Sequence, residues 1–140
     1  MRRSKAEVYL HLVWSTAHRK QWLTPEIERE VHRCIQHEAC RLGCVVLGLN
    51  GMPDHVHLVV QVPTTVSIAH LVKQIKGVSS TFINDHLEVE ELFRWQEHYA
   101  VFSLSRSHLN RVVAYVKHQK QQHAVGRVWA AWEETDAEVG

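Results

Sequence analysis

The sequence predicts a single α+β domain of the split βαβ, or ferredoxin-like, type, with an antiparallel sheet, helices packed on one face and an added C-terminal helix. Two observations support this prediction. Segments with the two-residue period of strands and segments with the period of helices follow each other in the order β-α-β-β-α-β-α. With 140 residues, 45% of them hydrophobic, the chain is long enough for one compact domain with a buried core.

The first strand and the first helix each have their own spacing of apolar residues. Alternation over residues 8–14 predicts a strand with Val8, Leu10, Leu12 and Trp14 on one face. A helix is predicted to begin after Thr24, a cap residue followed by a proline, and to end at Gly43. Its apolar stripe comprises Ile27, Val31, Cys34, Ile35 and Leu42.

A hairpin and a second helix are predicted next. Residues 44–50 and 55–62 are strand-like, and the Asn-Gly-Met-Pro-Asp run at 50–54 has the chemistry of a turn between them. Ser67 can cap the second helix. The apolar stripe of that helix comprises Ile68, Leu71, Val72, Ile75 and Phe82.

The last predicted elements are a strand over residues 99–105 and a helix from Ser107 to about His123. Residues 124–140 turn acidic, and we expect them to form a partly disordered tail of the same domain.

Composition excludes several classes of protein. No run reaches the roughly 18 apolar residues of a membrane span, and the N-terminus lacks a long apolar segment with a cleavage site, so we expect a cytoplasmic protein. Cys34, Cys40 and Cys44 are odd in number and lack zinc-knuckle spacing, so we expect small buried or half-buried side chains. A net charge of +1 neither requires nor excludes nucleic acid.

The run PDHVHLVV, residues 53–60, sets two histidines into a strand. Strand alternation places His55 and His57 together on the face opposite Val56, Leu58 and Val60. Two imidazoles about 7 Å apart along a strand can converge on one metal ion. For an isolated H-x-H pair, the commoner interpretation is one solvated and one half-buried histidine.

The last helix supplies candidate partners in RVVAYVKHQKQQH, residues 111–123. Arg111, Tyr115 and Gln119 follow each other along a face away from the apolar stripe of Leu109, Val112, Val113 and Val116. Tyr115 either packs at the edge of the core, the commoner fate of a helical tyrosine, or offers a nucleophilic phenol. In the second interpretation Gln119, one turn later, offers an amide oxygen to a metal, and the residues alone do not favour that interpretation over the first.

Together, PDHVHLVV and the downstream YVKHQ resemble the HUH, single-tyrosine transposases of the insertion sequence 200/605 group, which are TnpA-like proteins. REP-associated tyrosine transposases are close relatives of that group. The runs VYLHLVWSTAHRK, HLVKQIKGVSS and FRWQEHYAVFSLS are similar to further family segments. Two features depart from the family pattern: His98 stands where the family usually has glycine, and residues 124–140 do not look like a typical family C-terminus.

The resemblance implies a role for each candidate residue. Tyr115 would be the nucleophile, forming a covalent 5′-phosphotyrosine that is later rejoined without ATP. His55, His57 and the Gln119 oxygen would hold Mg²⁺ or Mn²⁺. The partners would be single-stranded DNA with hairpin ends and a second subunit in a homodimer. Phosphate contacts would come from Lys73, Lys76, Arg94, Arg106, Arg111 and Lys117.

Other functions stay open at this point. A non-catalytic nucleic-acid-binding module would need no joint action of Tyr115 and the histidines. A metal-dependent phosphoesterase would use water as the nucleophile and form no covalent adduct. A domesticated single-strand nuclease of the REP-associated type is the third alternative.

Overall fold

The computed structural model describes residues 4–87 and 89–120, which form one four-stranded sheet with helices on both faces. In chain order the elements are β1 (Tyr9–Ser15), α1 (Pro25–Arg41), β2 (Val45–Met52), β3 (His55–Gln61), α2 (Ile68–His86), β4 (Ala100–Leu104) and α3 (Arg106–Lys117). The strand order is β2-β3-β1-β4. Each neighbouring pair is antiparallel, so the predicted α+β split βαβ fold is confirmed.

Helices α1 and α2 cover one face of the sheet and enclose the main core. Leu12 of β1 lies opposite Leu58 of β3, and both are completely buried. Val31 and Ile35 of α1 and Ile75 of α2 pack into the same cluster. No helix among the described residues is long and apolar enough to cross a membrane.

The opposite face of the sheet is covered by α3. Val59 of β3 forms a second buried cluster with Val112, Tyr115 and Val116 of α3. The sheet is therefore sandwiched between the α1/α2 layer and the C-terminal helix. This arrangement brings α3 over the face on which the two histidines of β3 lie.

Several predicted boundaries and core positions need correction. Val8 precedes β1 and is 42% exposed, and Ile83 rather than Phe82 is fully buried in α2. Cys40 is exposed, whereas Cys34 is half-buried and Cys44 buried; all three are free thiols. Residues 121–140, including the predicted tail, lie outside the described residues.

Helix α1 begins after Thr24 as predicted, but two details of the helix starts differ from the prediction. The Thr24 side chain makes no cap hydrogen bond, although its carbonyl accepts from the Glu28 amide at 2.7 Å. Helix α3 begins at Arg106, one residue before the predicted Ser107. The Ser67 cap is confirmed, since its hydroxyl accepts from the His70 amide at 3.1 Å.

The β2–β3 turn is tighter than predicted, because β2 extends through Met52 and leaves only Pro53 and Asp54 between the strands. Gly51 makes this possible. A Cβ atom at Gly51 would lie 2.2 Å from the His55 carbonyl oxygen, so any larger residue would displace the backbone that carries His55.

Candidate active site

The two histidines of β3 lie side by side and are buried. His55 is 2% exposed and His57 is completely buried, with 5.2 Å between the ring centroids. Val56, Leu58 and Val60 belong to the core cluster on the other face, so the predicted alternation is confirmed. The interpretation in which one histidine is solvated is wrong, because α3 covers this face of the sheet.

Tyr115 reaches this pair from α3. Its ring lies edge-on to that of His57, with 5.9 Å between centroids and 74° between ring planes. The prediction that Tyr115 lies off the apolar stripe is wrong: it is 4% exposed and packs with Val59, Val112 and Val116. Helix α3 therefore directs its valines and Tyr115 to the same face of the sheet.

Gln119 lies one turn beyond Tyr115 and is completely buried. Arg111, one turn before Tyr115, is exposed. Of the three residues predicted to share a helix face, only Tyr115 and Gln119 are therefore buried. The amide of Gln119 is therefore inside the protein, just beyond the end of the helix that brings Tyr115 to His57.

Asp54, directly before β3, holds the first histidine. Its Oδ1 lies 2.7 Å from Nδ1 of His55, and its Oδ2 accepts from Nε of Arg19 at 3.2 Å. Burial alone would raise the pKa of the Asp54 carboxyl, but the hydrogen bonds and charges of His55 and Arg19 outweigh it and lower this pKa to about 2. Asp54 is therefore an anion that accepts the Nδ1 proton of His55.

Arg19 reaches Asp54 from a short 3-10 turn after β1. His18 and Arg19 have φ angles of 57° and 53°, in the left-handed region that non-glycine residues rarely adopt. Holding two such residues costs free energy. The ion pair with Asp54 is one contact that holds this turn beside the site.

The second histidine is held by His11 of β1. Nε2 of His11 lies 2.8 Å from Nδ1 of His57, and both side chains are completely buried. Sequence reasoning missed His11 and the roles of Asp54 and Arg19. The signal for His11 was present: it alternates with Leu10 and Leu12, so it lies on the face of β1 that matches the histidine face of β3.

The predicted phosphate contacts are in different environments. Lys76 donates to three backbone carbonyls, those of Gln96 at 2.7 Å, His98 at 2.9 Å and Glu97 at 3.3 Å. Burial lowers the pKa of Lys76 to about 8, partly offset by the charge of Glu97. The structure thus uses Lys76 to hold the segment before β4. The exposed members of the predicted set are Lys73, Arg94, Arg106, Arg111 and Lys117.

An open cleft of about 840 Å³ lies next to this segment. Its lining residues are Ala17, His18, Arg19, Arg94, Trp95, Gln96, Glu97 and His98. Because Arg19 also contacts Asp54 and lies 3.3 Å from Nδ1 of His55, the cleft borders the histidine pair. Arg19 and Arg94 give its wall two positive charges against the one negative charge of Glu97, which favours an anionic ligand.

The donor set fits a divalent metal ion. With Nδ1 of His55 and Nδ1 of His57 both engaged, each ring would bind a metal through Nε2. Among residues 4–87 and 89–120, no group of three His, Cys, Asp or Glu residues is arranged to hold a metal ion. The third protein ligand would therefore be of another type, and the buried amide oxygen of Gln119 is such a donor.

Known proteins share this architecture. Residues 4–119 match the family described as IS200-like transposases. The ISDra2 transposase TnpA of Deinococcus radiodurans is 27% identical over 127 residues, which cover 85% of this chain and 91% of that protein. A Deinococcus radiodurans R1 crystal structure of a protein described as a transposase is 26% identical, with a TM-score of 0.65, and the match covers 85% of this chain and 98% of that one.

A further solved structure is similar in fold. It is a REP-associated tyrosine transposase bound to a REP hairpin, with a TM-score of 0.67 at 13% identity, and the match covers 88% of this chain and 73% of that one. The family match spans the whole sheet and includes His55, His57 and Tyr115. This chain therefore belongs to the IS200-like transposase family.

Proposed function

We propose that this transposase cleaves and rejoins single-stranded DNA through a covalent 5′-phosphotyrosine on Tyr115, assisted by Mg²⁺ or Mn²⁺ at His55, His57 and Gln119. The observation that supports this most directly is the position of the Tyr115 ring, edge-on to His57 within one chain. A buried tyrosine phenol beside two histidines combines a nucleophile, the phenol oxygen, with metal ligands, the imidazoles.

In the proposed reaction the Tyr115 oxygen attacks the scissile phosphorus in line. A new bond forms between this oxygen and phosphorus as the bond from phosphorus to the 3′ oxygen breaks. The phenol loses its proton, and the departing 3′ oxygen takes up a proton to become a free hydroxyl. A divalent ion held by His55, His57 and Gln119 would offset the negative charge that develops on the phosphate.

Rejoining is the reverse attack by a 3′-hydroxyl on the phosphotyrosine. Because the phosphodiester energy is kept in the tyrosine bond, rejoining needs no ATP. The burial of Tyr115 against Val59 and Val112 holds the ring in one place between the two steps.

The proposed DNA partner has hairpin ends and a single-stranded region that enters the cleft beside His55. Arg19 and Arg94 line that cleft, and phosphate contacts from such residues give affinity with strong salt dependence. The REP-associated transposase that shares this fold is bound to a REP hairpin, which is consistent with a DNA ligand.

We further propose that two subunits act together as a homodimer. Each chain has one Tyr115 in its proposed site, and excising an element takes two cleavages. Because Tyr115 lies beside His57 of its own chain, each subunit would cleave one end with its own residues.

A covalent-adduct experiment tests the proposal. Single-stranded oligonucleotides that span the DNA flanking the gene, labelled at the 3′ end, are incubated with protein and Mg²⁺ and separated on a denaturing gel. The 5′-phosphotyrosine stays on the downstream fragment, so the label should move to the protein band. Tyr115→Phe should abolish this adduct while retaining DNA binding, and Tyr9→Phe on β1 is the matched control.

The other outcomes distinguish the alternatives. Cleavage with no labelled protein would identify a phosphoesterase that uses water. Binding with neither cleavage nor adduct would identify a non-catalytic module. An adduct that never rejoins DNA would favour a single-strand nuclease over a transposase.

A further inference from the structure

We propose that His11 is a positioning residue of the metal site, which holds His57 in the ring orientation and tautomer that present Nε2 to a divalent cation. This proposal rests on the metal site of the proposed function. The observation behind it is the contact between two completely buried imidazoles on neighbouring strands.

The strand register places the two rings together. Val13 pairs with His57 and His11 pairs with Val59, so His11 and His57 are diagonal neighbours on one face of the sheet. Their ring planes differ by only 25°, with 5.0 Å between centroids and 2.8 Å between Nε2 of His11 and Nδ1 of His57. The backbone pairing of β1 with β3 thus fixes the partner of His57.

The contact links the tautomers of the two rings, because a neutral imidazole has one donor nitrogen and one acceptor nitrogen. If Nδ1 of His57 donates to Nε2 of His11, the lone pair of His57 lies on Nε2. If His11 donates instead, the proton of His57 lies on Nε2, where it would exclude a metal ion. Metal binding through Nε2 therefore requires His11 to act as the acceptor.

The surroundings keep both rings in place. Phe102 of β4 lies 5.9 Å from His11 between ring centroids, and Tyr115 lies 5.9 Å from His57. His11 cannot rotate away without displacing Phe102 or breaking its contact with His57. The orientation of His57 is thus over-determined by the packing of β1, β4 and α3.

The two histidines of the pair have different supports. His55 has a carboxylate, Asp54, whose charge is balanced by Arg19, whereas His57 has the imidazole of His11. A carboxylate at position 11 would orient His57 equally well but would add an unbalanced negative charge where the anionic phosphate is expected. A neutral acceptor positions the ligand without repelling the substrate.

Three variants of position 11 test the proposal. In His11→Gln the amide can place an acceptor where Nε2 lies, whereas His11→Asn is too short to reach His57 and His11→Phe has no polar atom. We expect Mn²⁺ to bind about 10- to 100-fold more weakly to the Phe and Asn variants and within a few-fold of wild type to the Gln variant. Electron paramagnetic resonance titration measures this affinity, with His37→Phe on the exposed face of α1 as the control.

A second readout needs no metal. In metal-free protein, ¹⁵N–¹H NMR correlations of the histidine rings should show His57 protonated at Nδ1 in wild type and in His11→Gln. The proton should move toward Nε2 in His11→Asn and His11→Phe. A purely structural role would leave this signature unchanged in all folded variants.

Each outcome has a definite meaning. The proposal is overturned if folded His11→Asn or His11→Phe keeps both the wild-type Mn²⁺ affinity and the Nδ1–H tautomer. It is also overturned if wild-type His57 carries its proton on Nε2. If instead His57→Ala leaves Mn²⁺ binding of the protein unchanged, the proposed metal site fails, and the tautomer measurement still tests His11 separately.

Discussion

Tyr115 of α3 lies edge-on to His57 of β3 in the same chain, with 5.9 Å between their ring centroids. One folded chain therefore unites the candidate nucleophile with a candidate metal ligand, without a residue from another subunit. The contact depends on α3 lying across the sheet face opposite α1 and α2. The residues that fasten α3 there are consequently targets for mutation.

Lys120, three residues beyond α3, is predicted to anchor the C-terminal end of that helix, near Tyr115 and Gln119. Its ammonium bonds Glu28 of α1 at 3.0 Å, the Asn50 side chain at 2.9 Å and the Gly51 carbonyl at 3.1 Å. Lys120→Met should lower the free energy of unfolding by about 1 kcal/mol and speed amide exchange at the C-terminal end of α3. Urea titration measures the stability change and hydrogen-exchange mass spectrometry the exchange, with Lys73→Met at an exposed position as the control. Unchanged exchange in α3 would show that Lys120 does not anchor the helix.

Tyr115 is predicted to stabilise the fold through the packing of its ring. The ring is 4% exposed and packs among Val59, Val112 and Val116. Tyr115→Ala should cost about 3 to 4 kcal/mol of stability through the cavity it leaves, and more than Tyr115→Phe, which keeps the packed ring. Chemical denaturation of both variants provides the comparison, and equal losses would contradict the packing described for α3.

Asp54 is predicted to support metal binding through His55. Asp54→Ala removes the partner of His55 Nδ1 and the ion pair of Arg19. Mn²⁺ affinity should fall about 10- to 100-fold, as measured by calorimetric titration. The exposed Asp85→Ala serves as control, and the idea fails if both variants bind Mn²⁺ alike.

Lys73 and Lys76 are predicted to differ in DNA binding, although they lie within one turn of α2. The Lys76 ammonium is engaged by three carbonyls, whereas Lys73 is exposed. If Lys73 neutralises a phosphate, Lys73→Ala should reduce the salt slope of hairpin-DNA affinity by about 1. Lys76→Met should leave that slope unchanged. Fluorescence anisotropy at several salt concentrations measures the slope for both variants. A reduced slope for Lys76→Met would contradict the structural role of Lys76.

His32 is predicted to make stability depend on pH. Burial lowers its pKa from 6.5 to about 4, an effect opposed by Glu28 and reinforced by Lys120. Between these values the unfolded chain takes up a proton that the folded chain does not, so stability is lost as pH falls from 6.5 toward 4. From pH 7 to 5 the loss is about 2 kcal/mol.

Urea titrations across this range measure the His32 effect. In His32→Gln the drop between pH 7 and 5 should be smaller than in wild type by about that amount. The exposed His37→Gln, on the same helix, should keep the wild-type profile. Parallel profiles for His32→Gln and wild type would show that His32 is not the responsible group.

Local patterns accounted for the order of the elements and for the shared face of His55 and His57. Both depend on periods of two or 3.6 residues, which neighbouring residues in the chain determine on their own. The same is true of the Ser67 cap, since the hydroxyl and the His70 amide lie within one helical turn. The motifs PDHVHLVV and YVKHQ indicated a transposase family, and the family match over residues 4–119 supports that assignment.

Only the tertiary structure decided which partners these residues have. Three contacts join residues that are distant in sequence. They are the packing of Tyr115 against the sheet, the contact of His11 with His57, and the hydrogen bonds from Lys76 to backbone carbonyls before β4. Such contacts depend on strand register and on which sheet face a helix covers. The sequence by itself therefore determined which chemical groups are available, whereas packing of α3 and pairing of β1 with β3 determined how they meet.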